Sequence, residues 1–86
     1  MEEQYDKLRD ACFEAYLFFE NFGDPMYDEI KSKLEFVVGS YNFDNNPIGL
    51  YEIGEQAVKI LKDLKKKSPK KVDKKVLDGL EENLKK

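Results

Sequence analysis

The sequence predicts an all-α protein, a compact bundle of three to four short antiparallel helices in a single domain over residues 1–86. Two observations support this prediction. Apolar residues recur at spacings of three and four along most of the chain, which is the period of an amphipathic helix. Each of the three prolines follows a residue suited to cap a helix, at Asp24-Pro25, Asn46-Pro47 and Ser68-Pro69. Short connections between these segments favour antiparallel neighbours.

The first two helices are predicted over residues 2–22 and 25–40. The apolar face of the first consists of Tyr5, Leu8, Cys12, Ala15, Phe19 and Phe22. Gly23 then suits the left-handed conformation that closes a helix. The stripe of the second helix consists of Met26, Ile30, Leu34, Val37 and Val38. Residues 41–46 are rich in asparagine and are predicted to form a loop.

The third and fourth helices are predicted over residues 47–67 and 69–85. The third is expected to bury Leu50, Ile53, Ala57, Val58, Ile60, Leu61 and Leu64. The fourth carries Val72, Val76, Leu77, Leu80 and Leu84 on one side. Gly49 and Gly54 lie inside the third helix, where we expect them to permit close helix packing.

The composition argues against catalysis. The chain has no histidine and one cysteine, so it lacks a Ser-His or Cys-His pair and a typical zinc site. Cys12 lies on an apolar stripe and is expected to be a buried, inert thiol. We therefore expect no enzyme activity, no cofactor, no metal and no small-molecule substrate. No apolar run reaches the roughly 18 residues of a membrane span, and Met1-Glu2-Glu3 is unlike a secretory signal, so a cytoplasmic location is expected.

The asparagine-rich segment partly matches a calcium-binding EF-hand loop. Oxygen ligands would fall at Asn42, Asp44 and Asn46, as such a loop requires. However, Pro47 stands where the loop needs glycine, and Glu52 comes one residue too early for the bidentate ligand. Capping of the third helix is therefore the expected role of this segment.

Charge is divided unevenly along the chain. Residues 1–56 have 13 acidic and four basic side chains, whereas residues 57–86 have 11 basic and five acidic ones. Nine lysines lie between Lys59 and Lys75. This segment could bind a phosphate backbone without reading sequence. The residues proposed for that contact are Lys62, Lys66, Lys70, Lys71 and Lys74.

The tetrapeptide Ser68-Pro69-Lys70-Lys71 resembles a short motif in the tails of linker histones. The resemblance implies contact with the minor groove of A·T-rich DNA. The same residues also suit a capped turn between two helices, with the lysines in solvent. The acidic half of the chain could also neutralise the basic segment within the fold.

Aromatic and apolar residues nearly surround the middle of the first helix. A helix that is apolar on all sides must be enclosed, and three short neighbours leave part of it uncovered. The predicted contact residues are Phe13, Tyr16, Leu17 and Phe18. Alternatively, Phe13, Phe18 and the loop aromatics Tyr41 and Phe43 complete the core around a central helix.

These observations together predict a small, non-catalytic protein–protein interaction module that self-associates, with a homodimer or another protein as partner. The alternative is a nucleic-acid-associated protein that uses the segment Lys59–Lys75. No membrane contact is expected.

Overall fold

Four α-helices and two short 3₁₀ turns make up the part of the chain that the computed structural model describes, residues 3–85. In chain order they are α1 (Glu3–Phe22), a turn (Pro25–Tyr27), α2 (Asp28–Asp44), α3 (Ile48–Lys67), a turn (Pro69–Lys71) and α4 (Lys74–Leu84). Residues 3–85 contain no strand. The all-α prediction is confirmed.

The boundary between α1 and α2 follows local chemistry. Gly23 adopts a positive φ of 76° and its N–H donates to the carbonyl of Phe19, as predicted for a closing glycine. The carboxylate of Asp24 accepts from the backbone N–H of Met26 at 3.0 Å. This cap opens a 3₁₀ turn, so α2 begins three residues after the predicted start, at Asp28.

The 3₁₀ turn also changes which side chain is buried. Met26 was predicted to join the core but is 69% exposed, because the turn rotates it out of the stripe. Tyr27 is buried instead, and its ring centroid lies 4.9 Å from that of Phe19 and 5.5 Å from that of Phe22. This aromatic cluster packs the end of α1 against the start of α2.

The predicted end of the second helix is wrong, because α2 continues through residues 41–44. Tyr41 is buried, and its hydroxyl donates to Oδ1 of Asp6 at 2.8 Å. This contact with α1 supports the helical conformation of the segment, and α2 ends at Asp44, where Asn45 follows with a left-handed φ of 61°. The contact of Tyr41 with Asp6 joins the end of α2 to the start of α1, and the contact of Tyr27 with Phe19 joins the start of α2 to the end of α1.

The connection from α2 to α3 spans residues 45–47. Oδ1 of Asp44 accepts from the N–H of Asn46, and Oδ1 of Asn46 accepts from the N–H of Ile48, each at 3.0 Å. These polar oxygens therefore satisfy backbone donors, which confirms the predicted capping role of the segment. The third helix closely matches its predicted range of 47–67.

The start of the fourth helix differs from the prediction. Ser68 makes no capping bond through its side chain, and Pro69 opens only a 3₁₀ turn. Val72 is buried in an extended conformation, so the chain must straighten there to bring this side chain into the core. Asp73 is the true cap of α4, with Oδ1 accepting from the N–H of Lys75 at 2.9 Å.

The buried apolar side chains form one cluster that draws on all four helices. α1 has its most extensive contacts with α2 and α4. Its buried residues are Leu8, Ala11, Cys12, Ala15 and Phe19. The predicted stripes of α3 and α4 are also buried, with Ile60 and Leu84 only partly so. The radius of gyration, 12.1 Å, is close to the roughly 12 Å expected for a compact chain of this length.

Two glycines of α3 lie where neighbouring helices approach closely. A methyl group added at Gly49 would lie 2.9 Å from Cγ1 of Val37 on α2. At Gly54 it would lie 3.1 Å from Cδ2 of Leu84 on α4. The predicted role of both glycines in helix packing is confirmed. Within residues 3–85, no helix is long and apolar enough to cross a membrane.

Candidate interaction surfaces

Three of the four predicted contact residues lie together on the surface of α1. Phe13 is 45% exposed and Leu17 is 37% exposed. The ring of Phe13 stacks on that of Tyr16, with centroids 5.9 Å apart. We call Phe13, Tyr16 and Leu17 the α1 patch. Phe18 is partly buried, as Tyr16 is, but it is not part of the patch because its ring contacts Phe19 and Phe22.

Carboxylates border the α1 patch. A hydrogen bond to Glu20 raises the pKa of Tyr16, and the charge of Glu35 on α2 raises it further. Glu14 is exposed one turn from Leu17 on the same helix. Within residues 3–85, none of these three glutamates has a lysine or arginine nitrogen within 4.0 Å. The patch therefore carries uncompensated negative charge at its border.

A second apolar surface lies at a groove between α2 and α3. Phe36 is 74% exposed and Ile48 is 67% exposed, and both line the groove. Val37 and Gly49 line both of its sections, whose volumes are about 390 and 200 Å³. Phe43, 90% exposed, lies two turns beyond Phe36 on the same side of α2. We call the space lined by Phe36, Val37, Ile48 and Gly49 the α2–α3 groove.

This groove was not predicted from the sequence. Phe36 falls outside the predicted stripe of the second helix, Phe43 was assigned to a loop, and Ile48 begins α3. The spacing of seven between Phe36 and Phe43 places both on one helix face, but only if the helix reaches Asp44. The spacing that indicates a shared face was therefore present in the sequence. It has this meaning only if α2 extends to Asp44, and the contact between Tyr41 and Asp6 supports that extension.

Opposite charges lie at the border of the α2–α3 groove, on different helices. Lys33 of α2 pairs with Glu29, with Nζ and Oε2 3.4 Å apart; the side chain of Lys33 is half-buried, whereas that of Glu29 is largely in solvent. Glu52 of α3 lines the same section of the groove as Lys33. No basic nitrogen among the described residues lies within 4.0 Å of the Glu52 carboxylate.

The lysines proposed for phosphate binding divide into two groups. Lys66, Lys70 and Lys74 are exposed where α3, the second 3₁₀ turn and α4 meet, and none makes an ion pair with a described residue. We call these three the lysine corner. Nζ of Lys62 is instead bound to Oε2 of Glu81 at 2.8 Å. Nζ of Lys71 lies 5.8 Å from the centroid of the Phe22 ring.

The acidic half of the chain does not neutralise the lysine corner through ion pairs. Every ion pair found within residues 3–85 joins two residues of the same half. Lys74 and Lys75 also stand in the first turn of α4, where the helix dipole disfavours positive charge. The corner is therefore a concentration of positive charge with no ion-pair partner among the described residues.

Cys12 is fully buried, as predicted. Its Sγ donates to the carbonyl oxygen of Leu50 at 3.7 Å. Burial raises the pKa of the thiol from 9.0 to about 12, so the nucleophilic thiolate is disfavoured. Among the residues that the structure describes, no three histidine, cysteine or acidic side chains are grouped so that they could hold a metal ion.

No protein-family model matches this chain, and neither a curated protein nor a solved structure is significantly similar to it. Its function must therefore be inferred from the surfaces themselves.

Proposed function

We propose that this protein is a non-catalytic helical interaction module that self-associates as a homodimer. The observation that carries the proposal is the exposure of Phe36, Phe43 and Ile48, at 67–90% of each side chain, around one edge of the molecule. Single exposed apolar side chains are common, but adjoining ones mark contact sites. Their burial between two copies would remove this apolar surface from water.

The inventory of reactive groups supports a non-catalytic role. The chain has no histidine, and its one thiol is buried with a raised pKa. A free, buried cysteine suits a reducing compartment, and on this basis we propose a cytoplasmic location. We also infer that the four helices form a bundle with antiparallel neighbours, which presents α2 and α3 side by side as a docking face.

Sedimentation velocity over a concentration series tests self-association. We expect the sedimentation coefficient to rise from that of a monomer to that of a dimer as concentration increases. High salt should leave most of the dimer intact, because apolar burial is screened far less than surface charge. A chain that remains monomeric at every concentration would overturn the proposal.

The lysine corner supports a second candidate function, sequence-independent binding of a phosphate backbone. The observation that favours it is the absence of ion pairs on Lys66, Lys70 and Lys74 within residues 3–85. Lysines that neutralise phosphates release counterions, so affinity should fall with salt. The net charge of −3 for the whole chain predicts that such binding is weak.

Fluorescence anisotropy of a labelled, short A·T-rich duplex tests this second function. If three phosphates are contacted, each doubling of salt should weaken binding about six- to sevenfold. The double variant Lys70→Glu, Lys74→Glu should abolish binding. The matched variant Lys7→Glu, Lys85→Glu changes net charge equally and should retain most of it. Equal losses in both variants would show that general charge, and not the corner, attracts the duplex.

A further inference from the structure

We propose that the α2–α3 groove is the homodimer interface, with Phe36 of each copy seated over the groove of the other. The inference rests on the proposed self-association and adds the contact face and its geometry. It departs from the sequence-based prediction, which placed the contact on α1.

The groove and the side chain that would fill it belong to the same surface. Phe36 projects into solvent beside a recess lined by Val37 and Gly49. Gly49 has no side chain, and α2 and α3 lie so close there that an added methyl group would meet Val37. A two-fold contact requires a surface that complements itself. A projecting aromatic ring next to a recess meets that requirement.

The charges at the border select the direction of the two-fold axis. If the axis runs along the groove, α2 of one copy lies over α3 of the other. Lys33 of each copy then faces Glu52 of the other, because both residues line the same section of the groove. An axis across the groove would instead place α2 on α2 and lose this pairing. The axis along the groove is therefore the arrangement with complementary charge.

The α1 patch is less suited to contact with its own copy. Its apolar residues are about half as exposed as Phe36. Two such patches face to face would also bring Glu14, Glu20 and Glu35 of both copies together without basic partners. Like charges placed opposite each other oppose association. The α2–α3 groove has no such conflict.

The size of the face is compatible with a modest dimer. α2 and α3 contain 17 and 20 residues, so each is about 25–30 Å long. Two adjacent helices present a face about 20 Å wide. Such a face lies at or below the roughly 800 Å² per partner of a standard interface. We therefore expect dissociation in the micromolar range.

Single aspartate substitutions locate the interface by sedimentation velocity. Phe36→Asp should raise the dimer dissociation constant at least about 100-fold, because it places two charges at the centre of the contact. Phe13→Asp and Leu17→Asp introduce the same charge at the exposed apolar positions of α1 and should leave the dimer unchanged. Far-UV circular dichroism checks that all three variants keep their helical content, as expected for side chains that already face solvent.

Charge exchange tests the direction of the axis. Lys33→Glu or Glu52→Lys alone should weaken the dimer about tenfold, because each places like charges opposite each other twice. The double variant Lys33→Glu, Glu52→Lys should recover most of the original affinity. If the double variant is as weak as the single variants or weaker, the two residues do not face each other and the proposed axis is wrong.

The outcomes separate this inference from the function on which it rests. If Leu17→Asp gives a monomer while Phe36→Asp remains a dimer, self-association holds but the interface is the α1 patch, and the inference fails. If the unmodified chain never dimerises, both fail. A monomer from Phe36→Asp alone, with recovery in the charge-exchanged variant, supports the interface and its axis together.

Discussion

Replacing Phe19 with alanine is expected to destabilise the folded chain by about 3–5 kcal/mol. Phe19 is completely buried, and its ring lies 4.9 Å from that of Tyr27 and 5.5 Å from that of Phe18. Its removal would leave a cavity where α1 meets the start of α2. A domain of this length has a total stability of roughly 4–13 kcal/mol, so the variant would lose a large share of its stability, and at the low end of this range it would be unfolded.

Urea unfolding followed by circular dichroism measures this effect, at a concentration where the chain is monomeric. Phe43→Ala is the matched control, because the same side chain is there almost wholly in solvent. Phe43→Ala should change the free energy of unfolding by no more than about 0.5 kcal/mol. If Phe19→Ala lowers the free energy of unfolding by less than about 1 kcal/mol, the ring is not packed between α1 and the start of α2.

Stability is also expected to fall as the pH rises above about 9, because of Cys12. The thiol has its ordinary pKa of 9.0 in the unfolded chain, and burial raises the pKa to about 12 in the folded one. Between these values the unfolded chain releases a proton that the folded chain keeps. The free energy of unfolding should therefore decrease by up to about 1.4 kcal/mol per pH unit in this range. Below the unfolded pKa the thiol makes no such contribution.

Comparison with Cys12→Ala isolates the thiol from the lysines and tyrosines that titrate in the same range. The alanine variant should be less stable at about pH 8, because it loses a buried sulfur atom. At about pH 11 the difference in the free energy of unfolding between the two proteins should be smaller than at pH 8 by up to about 2.7 kcal/mol. If the two stability profiles run parallel up to that pH, the thiol ionises as readily in the folded chain as in the unfolded one. Cys12 would then not be buried as described.

The end of α2 and the start of α4 were not correctly predicted from the sequence. Residues 41–44 have the composition of a loop, yet they are helical because the hydroxyl of Tyr41 reaches Asp6 across 35 positions of sequence. Ser68-Pro69 has the chemistry of a helix start, yet α4 begins only at Lys74, after Val72 has entered the core. In both places a long-range contact prevailed over a local preference.

For the candidate surfaces as well, the sequence predicted some features and the tertiary structure decided others. Phe13 and Leu17 of α1, which the sequence indicated as contact residues, are exposed at the surface. The groove that brings Phe36 beside Ile48 was not predicted, because these residues belong to different helices. Only the packing of α2 on α3 brings them together. Whether acidic and basic halves pair within one chain was also left open by the sequence.

The helical class, the closing glycine at Gly23, the range of α3 and most of the buried stripes could be predicted from the sequence. These features depend on a period of three to four residues and on caps that act within one turn, so their causes lie close together in the chain. Tertiary structure alone decided the end of α2, the start of α4 and the composition of the α2–α3 groove. Each of these depends on which surfaces of separate helices meet, and that is settled only when the apolar stripes of all four helices are buried against one another.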